Sequence, residues 1–278
     1  MNETVIFLHI GKTAGSTMRQ ILKRQFPSSQ TMTVRARRRP REETLADFAR
    51  LPEADRLRPR LIMGHTVFGL HEHVPRPCRY VTMLRDPARL AISQYRYVLR
   101  TPGHRHHDQA QGMSLQEYVD SGLALEMDNS QTRAVAGDIG TPYRACTPEM
   151  LETAKRNLAE HFAWVGITER FDESVVLLGR TFGWPDVRYV SANVARGGTP
   201  PTEADLDLVR RANHLDQELY DHSCRLLDER MAAEPGFAGA LEQFRQANAR
   251  YARWGRLTYT LPSRIKRRLV PAVRHKTS

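Results

Sequence analysis

The sequence predicts an α/β protein in which a central, mainly parallel sheet is flanked by helices and followed by a helical C-terminal part. Three observations predict it. Short apolar runs that read as buried strands alternate with helix-period segments as far as about residue 190. The first run breaks into a Gly/Lys/Ser/Thr loop that opens a helix, and from about Glu203 onward the apolar spacing is helical, through Leu206-Asp-Leu208-Val209 and Leu215 to Leu219-Tyr220.

Strands are expected at Val5 to Ile10, Leu61 to His65, Arg79 to Leu84, Ala163 to Ile167 and Val187 to Val190. Parallel strands joined by helices bind ligands beyond their carboxyl ends, so Gly11 to Thr17, His65 and Arg85 are expected to converge on one edge from three separate strands. A main domain over residues 1–232 and a helical, basic extension over 233–278 account for the 278 residues, and 40% hydrophobic content suits one generous core. No apolar run approaches the roughly 20 residues that span a bilayer, and no signal-peptide pattern precedes the first strand, so a cytoplasmic protein is expected. Cys78, Cys146 and Cys224 show no metal or disulfide spacing and read as reduced and structural.

The net charge of +11 and pI near 10.0 favour an acidic ligand or surface, with basic residues crowded at Arg35 to Arg41 and Arg264 to Arg268. Of the 42 basic residues 37 are arginine, which a genome-wide codon bias explains without function. Against that background Lys12 stands out, because an ammonium is the small point charge that suits a phosphate oxygen.

Residues 5 to 17, Val-Ile-Phe-Leu-His-Ile-Gly-Lys-Thr-Ala-Gly-Ser-Thr, have the order of a phosphate cradle. A helix start offers unpaired N–H groups and the positive end of its dipole, Gly15 lets a ligand approach the main chain, and Lys12 adds a mobile charge. The nucleotide-hydrolase loop G-x-x-x-x-G-K-[ST] requires a glycine where this chain has Ile6, so that reading fails at its first position. The expected fold is P-loop-like and three-layered, with a loop that is shorter and differently wound.

A second informative stretch, Tyr80-Val-Thr-Met-Leu-Arg-Asp-Pro-Ala-Arg-Leu-Ala-Ile-Ser-Gln-Tyr, is a strand that ends in Arg85-Asp86-Pro87 and flows into a helix. Pro87 suits the first helical turn and Asp86 the cap before it. Ser93 follows Arg85 by two helical turns, and on spacing alone an anion site and a simple Arg–Asp tether are equally good readings.

The two segments resemble the I-P-K-T-A-G-T-T and R-D-P-x-x-R-x-x-S-x-Y motifs of the family 2 sulfotransferases, bacterial type, related to heparan sulfate 2-O-sulfotransferase. Gly64-His65, Phe68-Gly69-Leu70-His71, Asp128-Asn129-Ser130-Gln131-Thr132-Arg133, Gly166 to Phe171 and Leu215 to Tyr220 follow in the family's order, so the likeness spans residues 4 to 230. It implies a donor, 3′-phosphoadenosine 5′-phosphosulfate (PAPS), with Lys12, Thr13, Ala14, Gly15, Ser16 and Thr17 around its 5′-phosphosulfate and Arg85 and Ser93 on its 3′-phosphate. A nucleotide with two separate phosphate positions needs two anion sites, which the hydrolase loop alone does not provide. Gly11 stands where the family has proline, which implies a looser turn. Met63-Gly64-His65 stands where the 2-O enzymes have His-Gly-His, so only the second histidine survives.

Sulfuryl transfer to a hydroxyl needs alignment, charge stabilisation and removal of a proton. His65 is the expected base, since an imidazole of pKa near ~6.5 accepts that proton at neutral pH, an effect worth ~10² to 10⁴-fold. His71 is the runner-up, and a hydrogen-bonded structural histidine is the competing reading for both. Lys12 is expected to steady charge on the departing bridging oxygen. The resemblance implies a carbohydrate or other hydroxyl-bearing acceptor, with Phe68, His71 and Arg133 as candidate contacts. Asn129, Gln131 and Arg133 read equally well as a solvated helix face.

His104-Arg105-His106-His107-Asp108 has metal-binding residue types without the helical spacing of a metal site, and no metal is expected. No nucleic-acid partner is expected either. Arg196-Gly197-Gly198 reads as a nucleotide-wrapping loop or an ordinary turn, and the basic tail as a peripheral membrane contact or a bare charged terminus. Two other function classes remain: a kinase-type phosphotransferase, distinguished by stabilisation with ATP and Mg²⁺, and a non-catalytic polyanion-binding protein.

Overall fold

The computed structural model describes residues 3–34, 41–138, 140–191 and 201–259. Five parallel strands, β1 (Thr4–Leu8), β2 (Thr31–Val34), β3 (Leu61–Gly64), β4 (Cys78–Leu84) and β5 (Phe162–Ile167), form one sheet in the order β2-β3-β1-β4-β5. Helix α1 (Gly15–Gln25) follows β1, and α2 (Arg41–Ala49) and α3 (Glu53–Leu57) lie between β2 and β3. The long connection from β4 to β5 carries α4 (Pro87–Leu99), α5 (His107–Ala110), α6 (Leu115–Asp120), α7 (Ser130–Ala136) and α8 (Pro148–His161). After β5 come α9 (Phe171–Phe182), α10 (Glu203–Ala212), α11 (His214–Ala233) and α12 (Phe237–Tyr259).

The first strand is the sheet's centre because every one of its residues is apolar or internally bonded. Val5, Ile6, Phe7 and Leu8 are buried, each worth about 1.5–3 kcal/mol, and the Thr4 hydroxyl donates to the Pro59 carbonyl. The registers Leu8 with Gly64 and Leu8 with Thr82 bring the carboxyl ends of β3, β1 and β4 level. Gly64 is required where β2 crowds in, since a Cβ there would lie 1.9 Å from the Val34 carbonyl oxygen.

Four expected strands form, within a residue or two. Val187 to Val190 does not: its backbone is held by side chains, with the Tyr189 amide donating to Asn248 and the carbonyls of Asp186 and Arg188 accepting from Gln25 and Arg24. The strand found instead, Thr31–Val34, is a half-exposed edge. The helical part of the expected extension packs on the domain, where Phe237 joins the main core and Arg245 lies 3.6 Å from Asp172 on α9. Arg196 to Gly198 and the tail from Arg264 to Arg268 lie outside the described residues.

Two helices cap each other. The Asp216 carboxylate on α11 accepts from the Gln131 and Thr132 amides at the start of α7 (3.0 and 2.7 Å), while Asn129 before α7 accepts from the Leu215 and Asp216 amides (3.0 and 3.1 Å). Asn213 completes the exchange by accepting from the Asn129 amide. Asn129 reaches this position in the left-handed region, φ 46°, which asparagine tolerates. Burial pushes the Asp216 carboxyl up to about 6, against the pull of its two amide donors. Asp216→Ala would strand two buried N–H groups, so a loss of about 2–4 kcal/mol and a melting midpoint roughly 5–15 °C lower are expected. Calorimetry of the two proteins checks this, and an unchanged midpoint would show that the cross-cap contributes nothing.

Candidate active site

The site sits where the carboxyl ends of four adjacent strands meet, at the loop after β1, His65 after β3, Arg85 after β4 and Glu169 after β5. The loop turns through two left-handed residues, Lys12 (φ 66°) and Ala14 (φ 56°), a conformation that costs ordinary residues on the order of 1–2 kcal/mol each. The Thr13 hydroxyl closes the turn from inside by donating to the Ile10 carbonyl (2.9 Å). Helix α1 begins directly after this turn, so its positive dipole end lies at the loop, with Ser16 exposed and Thr17 buried in the first turn and the Thr17 and Met18 amides donating to the Ala14 carbonyl.

The glycines play different parts from those expected. Gly11 carries no positive φ, and an added Cβ would meet nothing within 4 Å. Gly15 has a further reason to be glycine, because a Cβ there would lie 1.6 Å from His9 Nε2. His9 is the residue the sequence reading missed. His9 and His65 each follow the last paired residues of β1 and β3, Leu8 and Gly64, and their rings stack at 4.1 Å, with Phe7 at 5.3 Å from His9. Burial, with His65 and Arg19 nearby, pushes His9 down to about 3, so it is neutral at any working pH, and its buried Nδ1 has no hydrogen-bond partner. Its signal in the sequence is an imidazole directly after the first apolar run and two residues before the Gly11 loop. His65 itself is exposed.

Lys12 lies with Nζ 4.3 Å from the centre of the Tyr97 ring. Burial, then Arg100 and Arg85, pushes its ammonium down to about 8. Arg85 donates from Nη1 to the Lys12 carbonyl (2.8 Å), and its Nε lies 3.7 Å from Glu169. The partner of Arg85 is therefore Glu169, which also accepts from the Asp86 amide and the Tyr220 hydroxyl. Asp86 instead caps α4 by accepting from the Arg89 amide, with Pro87 in the first turn as expected. Leu90 and Gln94 line a small pocket with Ile10, Gly11 and Lys12. Helical spacing puts half-buried Ser93 on the same stripe of α4, between Leu90 and Tyr97.

Three expected acceptor contacts lie elsewhere. Phe68 and His71 belong to an aromatic cluster with Tyr80, Phe162 and His161, at ring separations of 4.8–6.1 Å. Tyr80 stands four residues before the end of β4, roughly 13 Å down the strand from the site. His71 is half-buried against the Tyr80 hydroxyl (Nδ1 to Oη 3.1 Å), and burial pushes its pKa down. Its amide also donates to the Tyr80 hydroxyl (3.0 Å), so both its backbone and its ring are held there. Arg133 is 3% exposed and pairs with Asp128 while donating to the carbonyls of Asp128, Thr141 and Pro142. It pins a loop and presents nothing to a ligand. The helix face expected to be solvated is buried throughout, from Ser130 to Val135. Among the described residues no group of three or more His, Cys, Asp or Glu side chains is placed to hold a metal ion.

A parallel sheet whose central strand runs through a lysine-bearing loop into a helix, with an arginine from one neighbouring strand and a histidine from the other, defines an α/β protein with a P-loop-like anion cradle. The chain belongs to the galactose-3-O-sulfotransferase family, whose family model matches residues 1–256. It is 27% identical over 274 residues to chicken heparan-sulfate 6-O-sulfotransferase 1, covering 80% of this chain and 65% of that protein. It is 31% identical over 239 residues to human galactose-3-O-sulfotransferase 3, covering 79% of this chain and 55% of that protein. The chain thus spans a little under two thirds of the first relative's length. A mouse sulfotransferase structure complexed with PAP aligns over 77% of this chain and 64% of its own, at 10% identity and a TM-score of 0.39. The likeness read from the motifs and the family agree on carbohydrate sulfotransferases; the two relatives named here are a 6-O and a 3-O enzyme.

Proposed function

We propose that the protein transfers a sulfuryl group from PAPS to a carbohydrate hydroxyl. The observation that carries this reading is the level convergence of the Lys12 loop, Arg85 and His65 from three adjacent strands. Family membership supports the donor, and the sugars named in its relatives support the acceptor class.

Bound PAPS supplies the sulfuryl group and a phosphate leaving group. The α1 amides and Lys12 hold the 5′ end, and Lys12 steadies the negative charge that grows on the bridging oxygen as the S–O bond breaks. Arg85 and Ser93 form the second anion site for the 3′-phosphate. His65, exposed at the end of β3, takes the acceptor's proton as the new O–S bond forms. A cytoplasmic location and a peripheral membrane contact through the basic tail belong to the same reading, carried by the sequence, and cell fractionation tests them.

Thermal shift separates the alternatives. Adenosine 3′,5′-bisphosphate without metal is expected to stabilise the protein, by about 2.7 kcal/mol at a hundredfold excess over Kd. Stabilisation only by ATP with Mg²⁺ would overturn the donor reading in favour of a phosphotransferase, and polyanion binding without any nucleotide would favour a non-catalytic binder. The depressed pKa of Lys12 adds a pH dependence. A lysine whose pKa is lowered to about 8 loses its charge as pH rises through that value, so kcat/KM for the donor is expected to fall about tenfold per pH unit above pH 8. Lys12→Arg, which stays charged, should remove that limb; a limb that persists in Lys12→Arg would assign it to another group.

A further inference from the structure

The mechanism gives no task to Gln131, a buried polar side chain beside the site. Gln131 is fully buried at the start of α7, and its amide spans both peptide groups of Arg85: Oε1 accepts from the Arg85 N–H (2.9 Å) and Nε2 donates to the Arg85 carbonyl (2.8 Å). Arg85 is the first residue beyond the β4–β5 ladder, whose last pair is Leu84 with Ile167. Its main chain has therefore lost its strand partner at the point where it turns into α4. The glutamine amide replaces that partner with the same donor–acceptor pair a strand would offer.

The carboxamide is itself fixed. The Gln131 amide N–H is held by Asp216, so the side chain projects from a capped helix end rather than a free loop. On the other side Arg85 reaches Lys12 through its 2.8 Å bond to the Lys12 carbonyl. A continuous chain of hydrogen bonds thus runs from Asp216 through Gln131 and Arg85 to the cradle loop. The Arg85 Nε is buried and lies 3.7 Å from Glu169, too far for a hydrogen bond.

We infer that Gln131 is a positioning residue for Arg85: it sets where the guanidinium stands and so determines affinity for the nucleotide's 3′-phosphate, without touching the nucleotide. This rests on the donor reading proposed above.

The test compares two nucleotides on the whole chain, adenosine 3′,5′-bisphosphate and adenosine 5′-phosphate, which lacks the 3′ group. Gln131→Met keeps the volume and removes both hydrogen bonds. It is expected to weaken the bisphosphate about tenfold and to leave adenosine 5′-phosphate within about twofold. Gln131→Glu, which keeps an accepting oxygen for the Arg85 amide and loses the donor, is expected to fall between wild type and Gln131→Met, and it serves if the methionine variant does not fold. Equal weakening of both nucleotides, or of neither, would overturn the positioning role and leave Gln131 as part of the packing. If the wild-type protein binds no bisphosphate, the donor reading itself falls and this inference falls with it.

Discussion

Replacing His65 by Ala is expected to lower turnover by roughly 10² to 10⁴-fold while adenosine 3′,5′-bisphosphate still binds within about twofold. The split follows from where the residue stands. His65 is exposed beyond the end of β3, stacks on His9, and follows a different strand from either anion site. Removing its ring takes away a proton acceptor and no ligand to phosphate. Single-turnover assays with nucleotide titration alongside measure both quantities. Turnover within threefold of wild type would remove His65 from the chemistry, and the runner-up His71, tied to the Tyr80 hydroxyl, would not replace it.

Gly15→Ala should be nearly as damaging, for a reason that sequence does not suggest. The new methyl would lie 1.6 Å from Nε2, 2.1 Å from Cδ2 and 2.5 Å from Cε1 of His9, whose ring is held between Phe7 and His65. The ring has to move, and moving it disturbs the base it supports. A loss of about 1–3 kcal/mol in stability and at least ~10²-fold in turnover is expected, since a displacement near 1 Å at a reacting group costs about that much. Gly11→Ala provides the comparison. Its methyl meets nothing within 4 Å, so stability should stay within about 0.5 kcal/mol. The double variant His9→Ala/Gly15→Ala should recover most of the stability lost in Gly15→Ala; strict additivity would mean that the clash is not the cause.

Most of the sheet was legible because its strands are buried on both faces and read as short apolar runs: Thr4–Leu8, Leu61–Gly64, Cys78–Leu84 and Phe162–Ile167 all form near their expected places. The edge strand Thr31–Val34 was missed because it is half-exposed and mixes Thr with Met and Val. Val187 to Val190 was misread because a run with strand composition still needs a partner strand, and here side chains occupy its backbone. The same limit applies at the site. Lys12, Arg85 and His65 could be placed because parallel topology sends every strand's carboxyl end to one edge. His9 could not be recognised, since its importance is a stack across two strands in register.

The polar stretch from Asp128 to Arg133 and the segment from Leu215 to Tyr220 mark the boundary most clearly. As sequence they stand out, and a substrate contact or a solvated helix face is the natural reading. In the fold each caps the other's helix, Arg133 turns inward to three carbonyls, Gln131 grips Arg85, and Tyr220 reaches Glu169. The sequence alone determined the cradle and its capped second helix, because a strand, a turn and a helix start are set by neighbours within about ten residues. Only the tertiary structure decided which polar groups point at a ligand and which satisfy the interior. That choice depends on where buried N–H and C=O groups lack partners, and those partners come from more than eighty residues away, as Gln131 and Thr132 find theirs in Asp216.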